Sequence, residues 1–285
     1  MKVISFSLWG DKPMYNVGAI KNAQLAKKIY GPDWHCFFYV GTDVPQETIN
    51  ALDEMENTNV IIMDKHENNW QGMFWRFFAI DADDVDTVVF RDTDSRLSPR
   101  EKYAVDDWMQ SDKPLHIMRD HPYHAVAIPG GMWGVRPKSF MSLLIEKMSL
   151  FSSASFNDVI NQWLTWENEG GVLTEQELVE KGVDQHFLEG IYHSCAFDGA
   201  FIHDSFPQYN CYSGRFDYQR NTRSKFEFST GFPGPARHST MNGNIVDDWN
   251  NFVGQVFDEN DVPVKEYADL LQERDECIYK NWSKD

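Results

Sequence analysis

Two aspartates one residue apart, Asp92 and Asp94, have the residue types and the spacing for metal chemistry. In an extended backbone, side chains two positions apart share a side, so both carboxylates can reach one ion. Hard divalent cations such as Mg²⁺ bind a few carboxylates and keep coordination positions for phosphate oxygens. The Asp-x-Asp pair therefore predicts a site for a divalent cation and a diphosphate. The alternative is an ordinary acidic turn, where aspartate is common.

The residues on both sides of the pair predict a loop between a strand and a helix. The apolar run at 87–90, Thr-Val-Val-Phe, indicates a buried strand. Ser98, Pro99 and Glu101 follow with the spacing of a helix cap, a first helical position and a capping-box glutamate. Ligands of open α/β sheets bind outside the carboxyl ends of the strands. We therefore expect the two acids at the ligand-binding edge of a sheet.

The rest of the chain alternates between strand and helix patterns. Strands are predicted at 3–8, 35–40, 60–63, 87–90 and 115–118. Helices are predicted at 16–29, 45–55, 70–80, 137–151, 156–166 and 263–282, and a further helix is predicted to begin at 174. This order is typical of an α/β protein with a mostly parallel central sheet flanked by helices.

The net charge of the chain limits the kinds of partner that the protein can bind. The chain has 285 residues, of which 42% are hydrophobic, and a net charge of −18. Such acidity argues against binding to duplex nucleic acid or to an anionic membrane. An acidic protein that binds a nucleoside diphosphate also needs a cation to offset its own field, which is a second reason to expect a metal.

Targeting signals and a zinc pattern are not predicted. The N-terminus leads directly into a strand pattern without an apolar signal region, and no stretch has the length of a membrane span. The four cysteines are widely spaced and form no Cys-x-x-Cys motif, so we expect reduced structural thiols. These patterns favour a cytoplasmic protein.

The acidic pair and its surroundings resemble the Asp-x-Asp motif of GT-A-fold nucleotide-sugar glycosyltransferases. The strings WRFF at 75–78, FRDTDSR at 90–96 and HIMRDHP at 116–122 are also similar to glycosyltransferases encoded by large DNA viruses of algae. The resemblance implies a Rossmann-like GT-A fold in a single domain over 1–285. Its nucleotide-sugar-binding half would be 1–125, and its acceptor-side half with a C-terminal helix would be 126–285.

The same resemblance implies the activity. It indicates a hexosyl- or pentosyltransferase that uses Mn²⁺ or Mg²⁺ and moves a sugar from a UDP-sugar to a glycan or glycoprotein. A viral enzyme of this kind would work in the host cytoplasm.

Donor-binding roles follow from the resemblance. The turn after the first strand, with Leu8, Trp9 and Tyr15, would hold the base and ribose. Trp9 or Tyr15 could stack on a uracil, although both rings could instead cover the sheet edge. Thr93, within the acidic pair, and Arg237 would contact the diphosphate.

A basic residue and a glycine-rich segment complete the implied donor site. Arg76 precedes Asp92 by sixteen residues and would contact the donor sugar. Its alternative is an ion pair with one of three nearby acids, namely Asp81, Asp83 and Asp84. The segment around Gly130, Gly131 and Trp133 would line the sugars, with the indole facing a ring, or would be a tight turn with a core tryptophan.

The catalytic residues are implied by glycogenin-like retaining transferases, which Asp184-Gln185 resembles. In that family the amide sits under the anomeric carbon, and a later histidine is the third metal ligand beside the two aspartates. His238 fits that distance, and His203 is a second choice. The family's His-x-x-Gly-x-x-Lys-Pro-Trp motif is absent after His238, so the stereochemistry stays open.

The pattern as a whole favours retention. An inverting reaction would need a base, for which Asp120 and Asp184 are the candidates, and Asp120 could also orient the acceptor hydroxyl.

Other functions fit the acidic pair less well. A haloacid-dehalogenase-like phosphohydrolase would have Thr where the chain has Arg96. An EF-hand loop would need Gly and Glu where the chain has Leu97 and Tyr103. A zinc site at His116, His121 and His124 lacks a matching spacing. A non-catalytic sugar-binding protein with the same fold is compatible with the sequence.

Overall fold

The chain folds around one mostly parallel sheet. The computed structural model describes residues 1–64, 70–120, 124, 126–148, 155–170, 174, 180–196, 199–204 and 252–264. Within these residues, the strands are β1 Lys2–Leu8, β2 Trp34–Gly41, β3 Thr58–Met63, β4 Thr87–Arg91, β5 Leu115–Arg119, β6 Trp133–Val135 and β7 Ala200–Asp204. They form one sheet of seven strands in the order β3-β2-β1-β4-β6-β5-β7, in which β6 is antiparallel to both neighbours and the other pairs are parallel.

Helices cover both faces of this sheet. In the described part of the chain they are α1 Pro13–Ile29, α2 Gln46–Asp53, α3 Pro99–Gln110, α4 Pro137–Lys147, α5 Phe156–Gly170 and α6 Val183–Ile191. A 3₁₀ helix at Trp70–Asp81 and a π-helical turn at Tyr192–Ala196 complete the set. The predicted class, an α/β protein with a mostly parallel central sheet flanked by helices, is confirmed.

Several boundaries differ from the predictions. Helix α1 begins at Pro13, a residue suited to the first helical position, and Asn16 is not its cap but lies inside the first turn and donates to the carbonyls of Gly10 (3.1 Å) and Lys12 (3.0 Å). The aromatic segment at 70–80 is a 3₁₀ helix, and the elements β6, β7 and α6 were not predicted. Most of the helix predicted at 263–282 lies outside the described residues, and Pro263 itself pairs with Phe257 in a β-bridge.

The core lies on both faces of the sheet. One face buries Val3, Phe77, Phe90 and Trp133 among others, and the opposite face buries Ile4, Phe6, Ala19 and Trp108. Strands β1 and β4 are therefore covered on both sides, which explains their nearly continuous apolar sequence. Cys36 and Cys195 are buried free thiols.

Strand direction brings three loops to one edge of the sheet. Strands β1 and β4 are parallel neighbours, with Lys2 opposite Thr87 and Phe6 opposite Arg91. Their carboxyl ends therefore lie together. Because β6 is antiparallel to β4, it presents its amino end, preceded by Gly130 and Gly131, at that same edge. The loops after β1, after β4 and before β6 consequently meet there.

The helix that follows the acidic pair begins as predicted, except that the Glu101 side chain turns into the interior and does not complete the capping box. Ser98 caps α3 by accepting a hydrogen bond from the amide of Glu101 at 3.3 Å. The Glu101 carboxylate binds Arg91 (3.0 Å) and the Tyr30 hydroxyl (2.5 Å) in the interior.

Among the described residues, no helix has both the length and the apolar character needed to cross a bilayer.

Candidate active site

The acidic loop, residues 92–97, is held from one side by α1. Gly18 lies so close to the Thr93 carbonyl that a methyl group at this position would clash with it. Asn22 is fully buried, and its amide nitrogen donates to the carbonyl of Ser95 at 2.9 Å. Its amide oxygen accepts from the amide of Leu97 at 3.0 Å. The sequence analysis missed Asn22, and the signal for it was a polar residue among the apolar positions of α1.

A second group of residues holds the backbone of Arg76. Ser5 and Ser7 are two positions apart on β1 and therefore point to the same face of the sheet. The Ser5 hydroxyl donates to the carbonyl of Arg76 at 2.6 Å, and the amide of Arg76 donates to the Ser7 hydroxyl at 2.9 Å. The 3₁₀ helix is thus fixed to β1 at Arg76. Two alternating serines in an apolar strand were the sequence signal for this contact.

The side chain of Arg76 joins the acidic loop to α6. Its Nη1 donates to Oδ1 of Asp92, and its Nη2 donates to Oδ2 of Asp184 at 3.0 Å. The side chains of Arg76 and Asp184 are 6% and 2% exposed, whereas that of Asp92 is 50% exposed. Arg76 therefore pairs with these two acids and not with the nearby Asp81, Asp83 or Asp84. Asp81 instead accepts from the backbone amides of Phe156 (2.6 Å) and Asn157 (2.8 Å) at the start of α5.

Two glycines leave room for this ion-pair network. A methyl group at Gly131 would overlap the Asp92 carboxylate. A methyl group at Gly130 would lie 2.5 Å from Oδ2 of Asp184 and 2.7 Å from both Nη2 of Arg76 and the side-chain amide of Gln185. The glycines thus let a backbone approach charged side chains closely.

Gln185 supports the loop that carries these glycines. With its amide oriented toward complementary partners, it donates to the carbonyl of Ile128 at 3.1 Å and accepts from the amide of Gly130 at 2.9 Å. Its neighbour Asp184 lies in the first turn of α6. This helix begins directly after Gly182, whose own backbone is in the left-handed conformation. The Asp-Gln pair is therefore at the same site as Arg76 and Asp92.

The acids at this site repel each other. Burial and the neighbouring charge of Asp92 raise the pKa of Asp94 to about 7, while Arg76 and Lys181 act in the opposite direction. Burial and Asp92 also raise the pKa of Asp184, and Arg76 partly offsets this rise. Three carboxylates near one guanidinium make a site that would gain from a further cation.

The donor set fits a hard divalent cation such as Mn²⁺ or Mg²⁺. Asp92 and Asp94 offer carboxylate oxygens at a partly exposed loop, and their mutual repulsion is what a cation would relieve. Among the described residues, however, no group of three or more histidine, cysteine or acidic side chains is arranged to hold a metal ion. Further ligands would have to come from elsewhere. His238, the predicted third ligand, and Arg237 lie outside the described residues.

The residues predicted for the nucleotide lie at the same edge with different exposures. Trp9 is partly exposed and packs edge to face on Trp75, with ring centroids 6.0 Å apart. Tyr15 is partly buried in the first turn of α1. The side chains of Leu8 and Thr93 are buried, so they shape the edge more than they offer contacts.

Two residues with predicted sugar-side roles are buried away from solvent. Asp120 is fully buried and accepts from Nε (2.5 Å) and Nη2 (2.8 Å) of Arg100 and from the amide of Val253 (2.9 Å). Both of its oxygens are occupied in the interior, so Asp120 is not positioned to act as a base. Trp133 is also fully buried and donates to the Gly130 carbonyl at 3.1 Å, so its indole belongs to the core and does not face a sugar.

The histidine considered as a second choice for the metal lies inside the sheet. His203, on β7, is fully buried beside His116 of β5. The distance from Nδ1 of His203 to Nε2 of His116 is 3.0 Å. Its other nitrogen lies 3.2 Å from the carboxylate of Asp107 on α3. His116 stacks on Trp108 at 5.1 Å between ring centroids. These contacts place His203 within a buried polar network and remove it from the proposed metal ligands.

Comparisons with known proteins show similarity at the level of solved structures. No family model and no curated protein matches the chain. The galactosyltransferase LgtC, solved with donor and acceptor sugar analogs, is 13% identical over 84% of this chain and 90% of its own, with a TM-score of 0.44. TarS from S. aureus is 12% identical over 72% of this chain and 58% of its own, with a TM-score of 0.45.

A third structure is more distant. The mannosyltransferase PcManGT from Pyrobaculum calidifontis, solved with GDP-Man and Mn²⁺, is 9% identical over 51% of this chain and 46% of its own, with a TM-score of 0.38. The chain thus spans less than two thirds of TarS and of PcManGT. Similarity at this level assigns no function, so any proposal must rest on the residues of the site.

Proposed function

We propose that this protein is a metal-dependent glycosyltransferase that moves a sugar from a nucleoside-diphosphate sugar, a UDP-sugar, to a hydroxyl of a glycan or glycoprotein. One observation carries the proposal. Arg76 bonds both to Asp92 of the acidic loop and to Asp184 of the Asp-Gln pair, at the carboxyl edge of a mostly parallel sheet. The acidic loop and the Asp-Gln pair, which the family resemblance implied to act together, are therefore joined by the side chain of Arg76.

Asp92 and Asp94 are the proposed ligands of Mn²⁺ or Mg²⁺, with His238 as a third. When bound, the cation would act as a Lewis acid that stabilises negative charge on the leaving nucleoside diphosphate. Arg76 holds Oδ1 of Asp92, which leaves the other oxygen, against Gly131, for the cation. The protein thus sets the orientation of this carboxylate before any ligand binds.

Asp184 is the proposed acceptor for a hydroxyl of the donor sugar. Its Oδ2 is bound by Arg76, while its Oδ1 is buried without a hydrogen-bond partner among the described residues. A buried carboxylate oxygen without a donor is costly, and a sugar hydroxyl would satisfy it. Gln185, which holds Gly130 and Ile128, keeps the facing loop in place.

Retention of configuration is proposed because neither predicted base is positioned to accept a proton from an acceptor hydroxyl. Asp120 is enclosed and bound by Arg100, whereas Asp184 is bound by Arg76 through Oδ2 and its other oxygen is the one proposed to bind the donor sugar. An inverting reaction depends on a base within hydrogen-bond reach of the acceptor, whereas a retaining one does not need a strong base.

The phosphohydrolase alternative has less support. At the position where it would have threonine, the chain has Arg96, which is buried and bonded to the carbonyl of Ser95 at 2.9 Å. A non-catalytic sugar-binding protein would share the donor site but would not turn over.

Calorimetric titration with UDP and a panel of UDP-sugars, with and without Mn²⁺, tests the proposal on the wild type and on Asp94→Ala. We expect binding that requires both Mn²⁺ and Asp94. Asp106→Ala is the control, because Asp106 is a surface carboxylate whose side chain is 54% exposed and pairs with Lys102. Binding that is independent of metal and of Asp94 would make the acidic loop a structural turn.

Turnover separates the transferase from a binding protein. Release of UDP from the preferred donor in the presence of acceptor glycans would support the enzyme, and the anomeric configuration of the product, read by NMR, would decide retention. Tight donor binding with no transfer and no hydrolysis would favour the non-catalytic alternative.

A further inference from the structure

We propose that Arg96 and Asp261 form a positioning pair that ties the acidic loop to segment 252–264 and thereby fixes the direction of Asp94. This inference rests on the proposed function for its meaning, because it concerns how the same two carboxylates are held for a cation. Neither residue is among those that the sequence analysis singled out as site residues. The two lie 165 positions apart in the chain.

Arg96 uses its guanidinium to join two segments. The side chain is 1% exposed. Its Nε donates to Oδ1 of Asp261 at 2.9 Å, and its Nη2 donates to the carbonyl of Asp258 at 3.1 Å. Its Nη1 points back to the acidic loop and donates to the carbonyls of Ser95 (2.9 Å) and Thr93 (3.4 Å). A rigid fork of donors suits this task, because each nitrogen has a fixed direction.

Backbone contacts continue the connection on both sides of Asp94. The amide of Phe257 donates to the carbonyl of Asp94 at 2.9 Å, and Ser95 pairs with Val256 in an antiparallel β-bridge. The guanidinium of Arg96 also lies 5.6 Å from the centroid of the Phe257 ring. The carbonyls of Thr93, Asp94 and Ser95 are therefore all bound, so the backbone that carries the second acid is held.

The conformation of Asp261 supports a specific role for its side chain. Among the described residues it is the one non-glycine residue with a positive φ, at 61°. Such a backbone is unfavourable for most side chains, although aspartate and asparagine tolerate it better than others. Its carboxylate binds Lys21 of α1 at 2.6 Å as well as Arg96. One strained residue thus links segment 252–264, the acidic loop and α1.

This link matters because Asp92 and Asp94 carry like charges. Without a cation, repulsion favours turning the two carboxylates away from each other, which a loose loop would allow. A loop tied at three successive carbonyls keeps them together and lowers the ordering cost of metal binding. We therefore expect the pair to affect metal affinity more than it affects global stability.

Asp261→Asn tests the pair in the full-length chain, because asparagine keeps the shape and tolerates the positive φ but removes the charge. Mn²⁺ affinity is measured by electron paramagnetic resonance of the free ion, and loop protection by hydrogen exchange of peptides covering 92–97. We expect Mn²⁺ binding to weaken by about tenfold or more, as for other residues that orient metal ligands, and exchange of the loop to accelerate. Peptides of β2 and β3 should be unchanged.

Arg136→Lys is the matched control, and Asp261→Gly is the second variant. Arg136 also donates to carbonyls, those of Lys113 (2.8 Å) and Met109 (3.1 Å), and lies over an aromatic ring, but it follows β6 at the opposite edge of the sheet. The Arg136→Lys variant should leave Mn²⁺ affinity and loop exchange unchanged.

Asp261→Gly is informative if the asparagine variant does not fold, because glycine adopts the positive φ at 261 without strain. It also removes the carboxylate that binds Arg96, so we expect this variant to fold and to lose Mn²⁺ affinity.

The outcomes distinguish this inference from the proposed function. If the wild type binds Mn²⁺ but both Asp261 variants keep its affinity and the loop protection, the positioning pair is wrong and the function stands. If the wild type binds no Mn²⁺, the proposed function fails, and loop exchange alone decides whether the pair holds the acidic loop.

Discussion

The guanidinium of Arg76 lies 3.0 Å from the carboxylate of Asp184, although 108 residues separate them in the chain. Arg76 is on the 3₁₀ helix and Asp184 is in the first turn of α6, so the contact exists only because both elements pack on the same face of the sheet. Both side chains are buried, and the exposed Asp92 completes the bridge. This relationship is the structural centre of the proposed donor site.

Arg76→Met should lower the free energy of unfolding by about 3–5 kcal/mol, because it leaves the buried Asp184 carboxylate without its cation. Urea titration at neutral pH measures the loss. The control is Arg136→Met, which removes hydrogen bonds to carbonyls and leaves no buried carboxylate behind. Equal losses in the two variants would show that Asp184 does not depend on Arg76.

Gly131→Ala should weaken Mn²⁺ and UDP-sugar binding by at least about tenfold, because its methyl group would displace the Asp92 carboxylate. Calorimetric titration measures both affinities. Gly190→Ala is the control, since a methyl group at Gly190 in α6 meets no atom within 4 Å. That change should stabilise the protein by up to about 1 kcal/mol, as expected for alanine in a helix. Unchanged affinity in Gly131→Ala would separate Asp92 from metal binding.

Two histidines that are buried in their neutral form should destabilise the protein as the pH is lowered below about 6.5, whereas the raised pKa values of Asp94 and Asp184 act in the opposite direction. Burial lowers the pKa of His203 to about 4, against the opposing effect of Asp107 and Asp120, while Arg100 lowers it further. Burial, His203 and Arg91 lower the pKa of His116 well below its usual range.

The sign follows from proton counts. Between about pH 6.5 and pH 4 the unfolded chain binds more protons at these two positions, so folding loses up to about 1.4 kcal/mol per pH unit for each histidine. Urea titrations at pH 7, 6 and 5 measure the net slope, which includes the opposite contribution of the two acids. His203→Gln should remove one histidine contribution and so raise the stability at low pH relative to the wild type, whereas His193→Gln, at a half-exposed position on the π-helical turn, should not. Parallel slopes for wild type and His203→Gln would contradict the prediction.

Trp9→Ala should weaken UDP binding by about tenfold, because an aromatic stacking contact contributes roughly 1 kcal/mol beyond its buried area. Trp9→Phe should recover most of the loss, since a phenyl ring still offers a face. Quenching of tryptophan fluorescence by UDP should also decrease in both variants. If Trp9→Ala binds UDP as well as the wild type, the indole only covers the sheet edge next to Trp75.

Sequence alone predicted the features that depend on neighbouring residues. The strand at 87–90, the acidic pair after it and the Ser98 cap follow from hydrophobic periodicity and local hydrogen bonding, and the structure has all three. The alternation of strands and helices also predicted the fold class and the edge of the sheet at which the acids lie. Periodicity and capping need only a few consecutive residues, so they can be read from the chain.

Tertiary structure alone decided the partner of each charged side chain. Arg76 has three acids within eight residues in sequence, yet it binds Asp92 and the distant Asp184. Asp120 and Trp133, which resembled site residues, are enclosed by the core, and Asn22, Arg96 and Asp261 hold the acidic loop without a motif to mark them. The reason is physical: burial and ion pairing depend on sheet order and strand direction, which bring together residues that no local pattern connects.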